Sequence, residues 1–464
     1  MKISSILNFL LLITLLTAAV MSDTGCAQIG APTGGPKDTL PPRLVNASPQ
    51  LNSTLISNNK ISLTFNEYIE LRDVQNNVLV SPFQKINPEI DYKLKTVSVK
   101  LKDSLLPNTT YTINFGNAIV DNNEGNPLKN FTYVFSTGSY IDSLSLSGNV
   151  ILAETGQTDS TIMAMLYRNA DDSAVQKKKP DYIARLNGDG DFTFNNLPPG
   201  IFKLYALKDG DGSKTYNAKV ELFAFATAAV TVSQNTPHLT LYAYAEVKDT
   251  RGITTSVFKS AAEKKLKYSA TAGILHQDLL NPFELTFNNP LKKFDPSNIL
   301  LTDTNFIAIP SVKPALDSTA KKIIFRVNWQ PGTPYRIVIK PAAVADSAGN
   351  TITVTDTIRF TAKKEADYGK LVLRFSNLDL SKNPVLQFVQ GEAIKESAPV
   401  ISKEWSRKLF NPGEYQIRIL YDDNKNGRWD PGNYSKKLQP EKVITLPQKL
   451  GIRADWDNER DIKL

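Results

Sequence analysis

Cysteine occurs once in 464 residues, at Cys26, and histidine twice, at His238 and His276. A lone cysteine has no disulfide partner, which excludes a stapled scaffold and a thiol pair in the folded part of the chain. Neither histidine lies near a serine or carboxylate signature, and no G-x-S-x-G, H-E-x-x-H, Walker or G-x-G-x-x-G motif is present. We therefore expect a chain that is not an enzyme; a carboxylate pair assembled from distant loops is the one catalytic arrangement left open. Charge of one sign is never concentrated. The net +8 is scattered, with Lys177-Lys178-Lys179 as the single compact cluster. A nucleic-acid surface needs a basic stripe interleaved with aromatics, so no nucleic-acid partner is expected. Long apolar runs are missing too, apart from residues 6–20, which Asn8 interrupts.

That run follows Lys2 and precedes Gly25-Cys26-Ala27. It is too short and too near the start for a comfortable transmembrane helix, so residues 1–25 read as an export signal. The ordering resembles a bacterial lipoprotein signal, with Asp23 standing where that pattern has Leu. The resemblance implies that Cys26 is lipidated and becomes the first residue of the mature protein, anchoring it to a membrane. An ordinary signal peptide cut at another small residue is the alternative. Residues 26–40 are rich in Gly, Pro and small polar residues without hydrophobic periodicity, and read as a tether. Ala27 lacks the acidic character that, by resemblance to known sorting rules, retains a lipoprotein in the inner membrane. The expected location is the cell envelope, at the outer membrane, on a side the sequence does not specify.

What fills the rest is period-two alternation. Ile61, Leu63 and Phe65 alternate with Ser62 and Thr64; Val97, Val99 and Leu101 with Ser98 and Lys100; Tyr111, Ile113 and Phe115 with Thr112 and Asn114. Such runs bury one face and wet the other. Turn formers separate them about every ten residues, the signature of antiparallel sandwiches. The pattern divides the chain into residues 41–138, 139–246, a connector at 247–267, then 268–362 and 363–464. The length is consistent with about three or four domains.

The units repeat in pairs. Leu63-Thr64-Phe65-Asn66-Glu67 returns as Leu285-Thr286-Phe287-Asn288-Asn289, and Pro107-Asn108-Thr109-Thr110-Tyr111 as Pro331-Gly332-Thr333-Pro334-Tyr335. Asp121 with Gly125-Asn126 returns as Asp346 with Gly349-Asn350. In the other pair, Pro199-Gly200-Ile201-Phe202 returns as Pro412-Gly413-Glu414-Tyr415, each with an aspartate nine residues after the glycine, at Asp209 and Asp422. Duplication at this scale marks a modular array. The first pair resembles bacterial Ig-like domains of the SbsA type, through the L-T-F-N-E strand, the P-N-T-x-Y turn, the D…G-N-P loop and the closing Phe135-Ser136-Thr137-Gly138. The second pair resembles the small prealbumin-like sandwiches of carboxypeptidase regulatory regions, through L-P-P-G-x-F/Y. The expected fold is all-β, tandem antiparallel Ig-like and prealbumin-like sandwiches following the signal and tether. The resemblance implies no reaction, and points to a structural or adhesive envelope array with envelope polysaccharide or other envelope proteins as partners.

One loop offers metal chemistry. Asp422, Asn424, Asn426 and Asp430 place oxygen ligands around Gly427, as a Ca²⁺ loop requires, with Asn433 where a bidentate Glu is expected. The loop leaves a strand and is no EF-hand. Ca²⁺ is the one cofactor offered, and an Asn/Asp-rich hairpin held by side chain to backbone bonds is the other reading. The counterpart at Asp209, Asp211 and Ser213 is poorer and is expected to be metal-free. Trp405 and Trp429 are the candidate platforms for the alternative function, a glycan-binding surface lipoprotein.

Overall fold

The computed structural model describes residues 9–17, 37–168, 171–234, 236–248, 266–271 and 276–464. Cys26 and most of the 247–267 connector lie outside these. Residues 9–17 are helical, and among the described residues no helix is long and apolar enough to cross a membrane. After them, the described residues are all-β apart from single turns of helix. The chain forms two compact units, Met1–Ile141 and Asp142–Leu464.

In the first unit, one sheet runs Leu44–Ser48, Lys60–Phe65, Thr96–Lys100, Glu89–Lys93. A second runs Leu79–Ser81, Thr110–Asn114, Thr132–Ser136, and a ribbon pairs Ile69–Leu71 with Ile119–Asp121. The alternation read from the sequence sets the faces: Leu63, Phe65, Val97, Val99, Ile113 and Phe135 are all buried in one core. The repeated motifs are its fasteners. Tyr111 is the last residue of P-N-T-x-Y, and its hydroxyl accepts the Leu106 amide at 2.7 Å across the turn. Asp121 is buried and gathers the amides of Glu124, Gly125 and Asn126 at 2.5, 2.9 and 2.7 Å. Gly125 has φ +77, a conformation that glycine adopts without strain.

Within the second unit, residues 266–362 show the same strand order: Tyr268–Ala270, Phe283–Phe287, Lys322–Phe325, Ala315–Leu316. Asp346 repeats the Asp121 role by accepting the Ala348 and Asn350 amides at 3.0 and 2.9 Å. Residues 142–247 place Leu144–Leu152 between Asp191–Leu197 and, in parallel, Leu239–Ala243. Facing it is a sheet ordered Tyr182–Arg185, Met163–Arg168, Gly200–Leu207, Phe223–Phe225, with Val230–Val232 also on Gly200–Leu207. Residues 369–464 repeat this strand for strand. Gly369–Ser376 lies between Glu404–Phe410 and the parallel Asp457–Lys463. The facing sheet runs Ala393–Pro399, Pro384–Gln390, Gly413–Tyr421, Val443–Thr445, with Leu450–Ile452 on Gly413–Tyr421.

Candidate functional site

Residues 142–247 and 369–464 each carry a long loop where their central strand turns back, and strand register decides what stands at its neck. In the first, Leu207 pairs with Phe223 and the Lys208 amide donates to the Leu222 carbonyl at 2.9 Å. The next residues outward are Asp209 and Glu221. In the second, Leu420 pairs with Val443 and the Tyr421 amide donates to the Lys442 carbonyl at 3.0 Å, so Asp422 and Glu441 stand at the neck. The nine-residue spacing seen in the sequence thus marks one structural position. Its glutamate partner was missed, although each copy shows it: an acid two residues before the return strand.

The second neck is closed by its own backbone. Asp422 is buried; its Oδ1 accepts the Asn426 amide at 3.1 Å and its Oδ2 the Gly427 amide at 2.6 Å. Glu441 accepts the amides of Asp423 and Asp430 at 2.8 and 2.9 Å. Burial pushes the Glu441 carboxyl above its usual range, against those two amides, and the charges of Asp430 and Asp422 add to the rise. The structure does bring Asp422, Asn424, Asn426 and Asp430 together. The side-chain amides of Asn424 and Asn426 donate to Asp430 Oδ2 at 2.5 and 2.6 Å, and Asn426 Oδ1 accepts the Arg428 amide at 2.7 Å. These are the bonds of an Asx-rich loop.

Beyond this loop the chain enters the other segment. Tyr434 is buried, with its ring edge-on to Phe223 and Phe225 at centroid distances of 5.0 and 5.2 Å, and to Tyr205 at 5.9 Å. Its hydroxyl donates to the Asp172 carbonyl and bonds the Tyr205 hydroxyl at 3.1 Å. Its amide donates to Glu246 Oε1 at 3.0 Å, and Gln439 Nε2 donates to the Phe225 carbonyl at 3.0 Å. Lys437 Nζ lies 3.9 Å from the Tyr434 ring centroid and 3.2 Å from Asp172 Oδ2. A Cβ on Gly432 would come within 2.6 Å of the Tyr244 ring, so glycine is what lets the loop approach. The segments 142–247 and 369–464 are therefore joined by an aromatic dock. Sequence reasoning treated them as independent, because a solitary tyrosine in a polar loop carries no periodic signal.

Trp405 and Trp429, the candidate platforms of the glycan-binding alternative, are packed into the fold. Trp405 packs at 5.4 Å from Phe388, and Trp429 donates its Nε1–H to the Glu441 carbonyl at 2.8 Å beside Val385, Leu420 and Val443. Both are half-buried. Trp456 is exposed, with the Arg453 guanidinium 5.3 Å from its ring.

The chain is all-β, and over part of its length it matches a known family. Residues 38–137 match the family of bacterial Ig-like domains. No match is found among the curated proteins. Similar solved structures include PcoC, a methionine-rich copper resistance protein from Escherichia coli, at 20% identity over 20% of this chain and 95% of that one, TM-score 0.16. The N-terminal part of the bacterial S-layer protein SbsC is 13% identical over 44% of each chain, TM-score 0.17. The BSP domain of a biofilm-associated protein is 10% identical over 90% of this chain and 99% of that one, TM-score 0.16. At these scores no functional argument passes from them to this chain.

Proposed function

We propose that this protein is a non-catalytic, lipid-anchored element of the bacterial outer membrane that serves as a structural or adhesive β-sandwich array. The observation that carries the proposal is the match of residues 38–137 to bacterial Ig-like domains, in a chain whose remaining described cores are also sandwiches. We read the chain as two copies of an Ig-like plus prealbumin-like pair, which the repeated strand orders support. Docked sandwiches suit a rigid spacer, because the dock removes a hinge at which the array would otherwise bend. The anchor is Cys26, and its partners are the membrane through the lipid and envelope polysaccharide or other envelope proteins beyond it. The glycan-binding alternative rested on Trp405 and Trp429, whose packing leaves it the weaker reading.

Detergent phase partition of the full chain expressed in a Gram-negative host tests the proposal. A diacylated cysteine with an amide-linked chain buries enough methylenes, at ~0.8 kcal/mol each, for stable attachment. The wild type should enter the detergent phase and Cys26→Ser the aqueous phase. Retention of Cys26→Ser in the membrane would refute the anchor, and with it the proposed location.

A further inference from the structure

The first neck is built like the second, its glutamate likewise accepting two loop amides, but its aspartate accepts none among the described residues. Asp209 has a fully buried side chain; its Oδ2 meets Lys214 Nζ at 2.6 Å, and its Oδ1 is buried with no hydrogen-bond partner among the described residues. The equivalent Asp422 uses both oxygens on amides of its own loop. One carboxylate oxygen from each of Asp209, Asp211 and Glu221 lies within 4.8 Å of the other two. Asp211 is turned back toward the neck through Gly212, at φ +78, and its oxygens accept the Ser213 amide at 2.9 Å and Asn217 Nδ2 at 2.7 Å. Glu221 Oε2 accepts the Ala218 amide at 3.1 Å. Three carboxylates carry −3 and Lys214 returns +1, leaving −2 at one point of a folded loop. Like charges this close are unfavourable without a counter-ion, and a buried, unpaired carboxylate oxygen is costly.

We propose that the 208–222 loop binds one divalent cation of the calcium type, with Asp209, Asp211 and Glu221 as its carboxylate ligands. Oxygen donors alone, at least one with no other partner, suit a hard cation, and a residual −2 matches a divalent one. Calcium tolerates the irregular, many-oxygen shell that a loop supplies; magnesium demands near-octahedral geometry. Lys214 sits on Asp209 as a tethered cation and moves outward when calcium enters. The loop also holds Tyr216, which stacks at 4.1 Å on Phe223 and meets Tyr434 edge-on at 6.2 Å. The cation therefore lies beside the dock and should steady it. This places the metal in the loop that the sequence ranked lower.

Calorimetric titration of calcium into the full chain tests the proposal, with magnesium titrated separately. One calcium should bind with Kd on the order of 10⁻⁴ M, about tenfold or more tighter than magnesium. Asp209→Asn and Glu221→Gln should each weaken it at least about tenfold, and Asp422→Asn should leave it unchanged. Circular dichroism checks each variant; if Asp209→Asn does not fold, Glu221→Gln decides. Wild type that binds no calcium, magnesium bound equally well, a folded Glu221→Gln that binds as wild type, or loss in Asp422→Asn alone would each overturn the proposal.

Discussion

Replacing Tyr434 by alanine should loosen the junction between segments 142–247 and 369–464 without unfolding either. The residue is 4% exposed, and burying an aromatic side chain removes roughly 150–250 Å² from water. At ~25 cal/mol/Å² that is ~4–6 kcal/mol as an upper bound, and measured aromatic-to-alanine changes run about 3–5 kcal/mol. The hydroxyl's bonds to Asp172 and Tyr205 add ~1 kcal/mol each, partly recovered when water reaches those groups. The expected loss is about 4 kcal/mol, or a factor of ~10³ in the opening equilibrium. It should fall on the dock, since the cores at 146–243 and 371–462 do not include this residue. Amide hydrogen exchange on the full chain is the assay. Peptides covering residues 430–445 should exchange faster by roughly that factor, with those of Asp191–Leu197 and Gly369–Ser376 unchanged. Tyr434→Phe keeps the ring contacts and should lose only ~1 kcal/mol. If Tyr434→Ala exchanges within about threefold of wild type, a difference of under 1 kcal/mol, the reasoning fails.

Two further perturbations follow from buried fasteners. Asp121→Ala orphans the amides of Glu124, Gly125 and Asn126 and should cost about 2–4 kcal/mol, read as a lower urea midpoint of the Ig-like domain. Burial opposes ionisation of Asp121, but the amides of Glu124, Asn126 and Gly125 outweigh it and hold its carboxyl below the usual range. The folded value is depressed, so this stabilisation is present above the unfolded value of ~3.9 and is lost as pH falls through the folded value beneath it. An acid titration of stability should therefore be steeper below pH ~4 in wild type than in Asp121→Asn. Gly432→Ala drives a methyl against the Tyr244 ring and the Leu438 carbonyl, and should weaken the dock by about 1–3 kcal/mol in the same exchange assay.

The fold was legible where local physics determines it. Alternation over residues 61–65, 97–101 and 111–115 places every apolar member in the core, because a one-residue slip would turn all of them to water. The Asp121 and Tyr111 motifs were legible as repeats, and the structure supplies their reasons, an amide nest and a turn clasp. The site was read only in part. Asp209 and Asp422 were recognised as counterparts, yet their roles were ranked by residue spacing along the loop. Strand register instead places Glu221 and Glu441 opposite them, a long-range pairing that loop spacing does not encode. The dock was invisible for a related reason: Tyr434 lies 188 residues from Glu246 and farther still from Phe223 in the chain, and only the folded state shows that their surfaces fit.

The most direct measurement on the paired array is a cut-chain experiment. A protease recognition sequence inserted at residue 258 allows the folded full chain to be cleaved between its two halves, which are then run on a sizing column at micromolar concentration. If the dock joins segments 142–247 and 369–464, the halves co-elute after cleavage and separate when the cut chain carries Tyr434→Ala. Halves that separate in the wild type, each with an intact β-sheet spectrum, would contradict it and return the chain to a string of independent sandwiches.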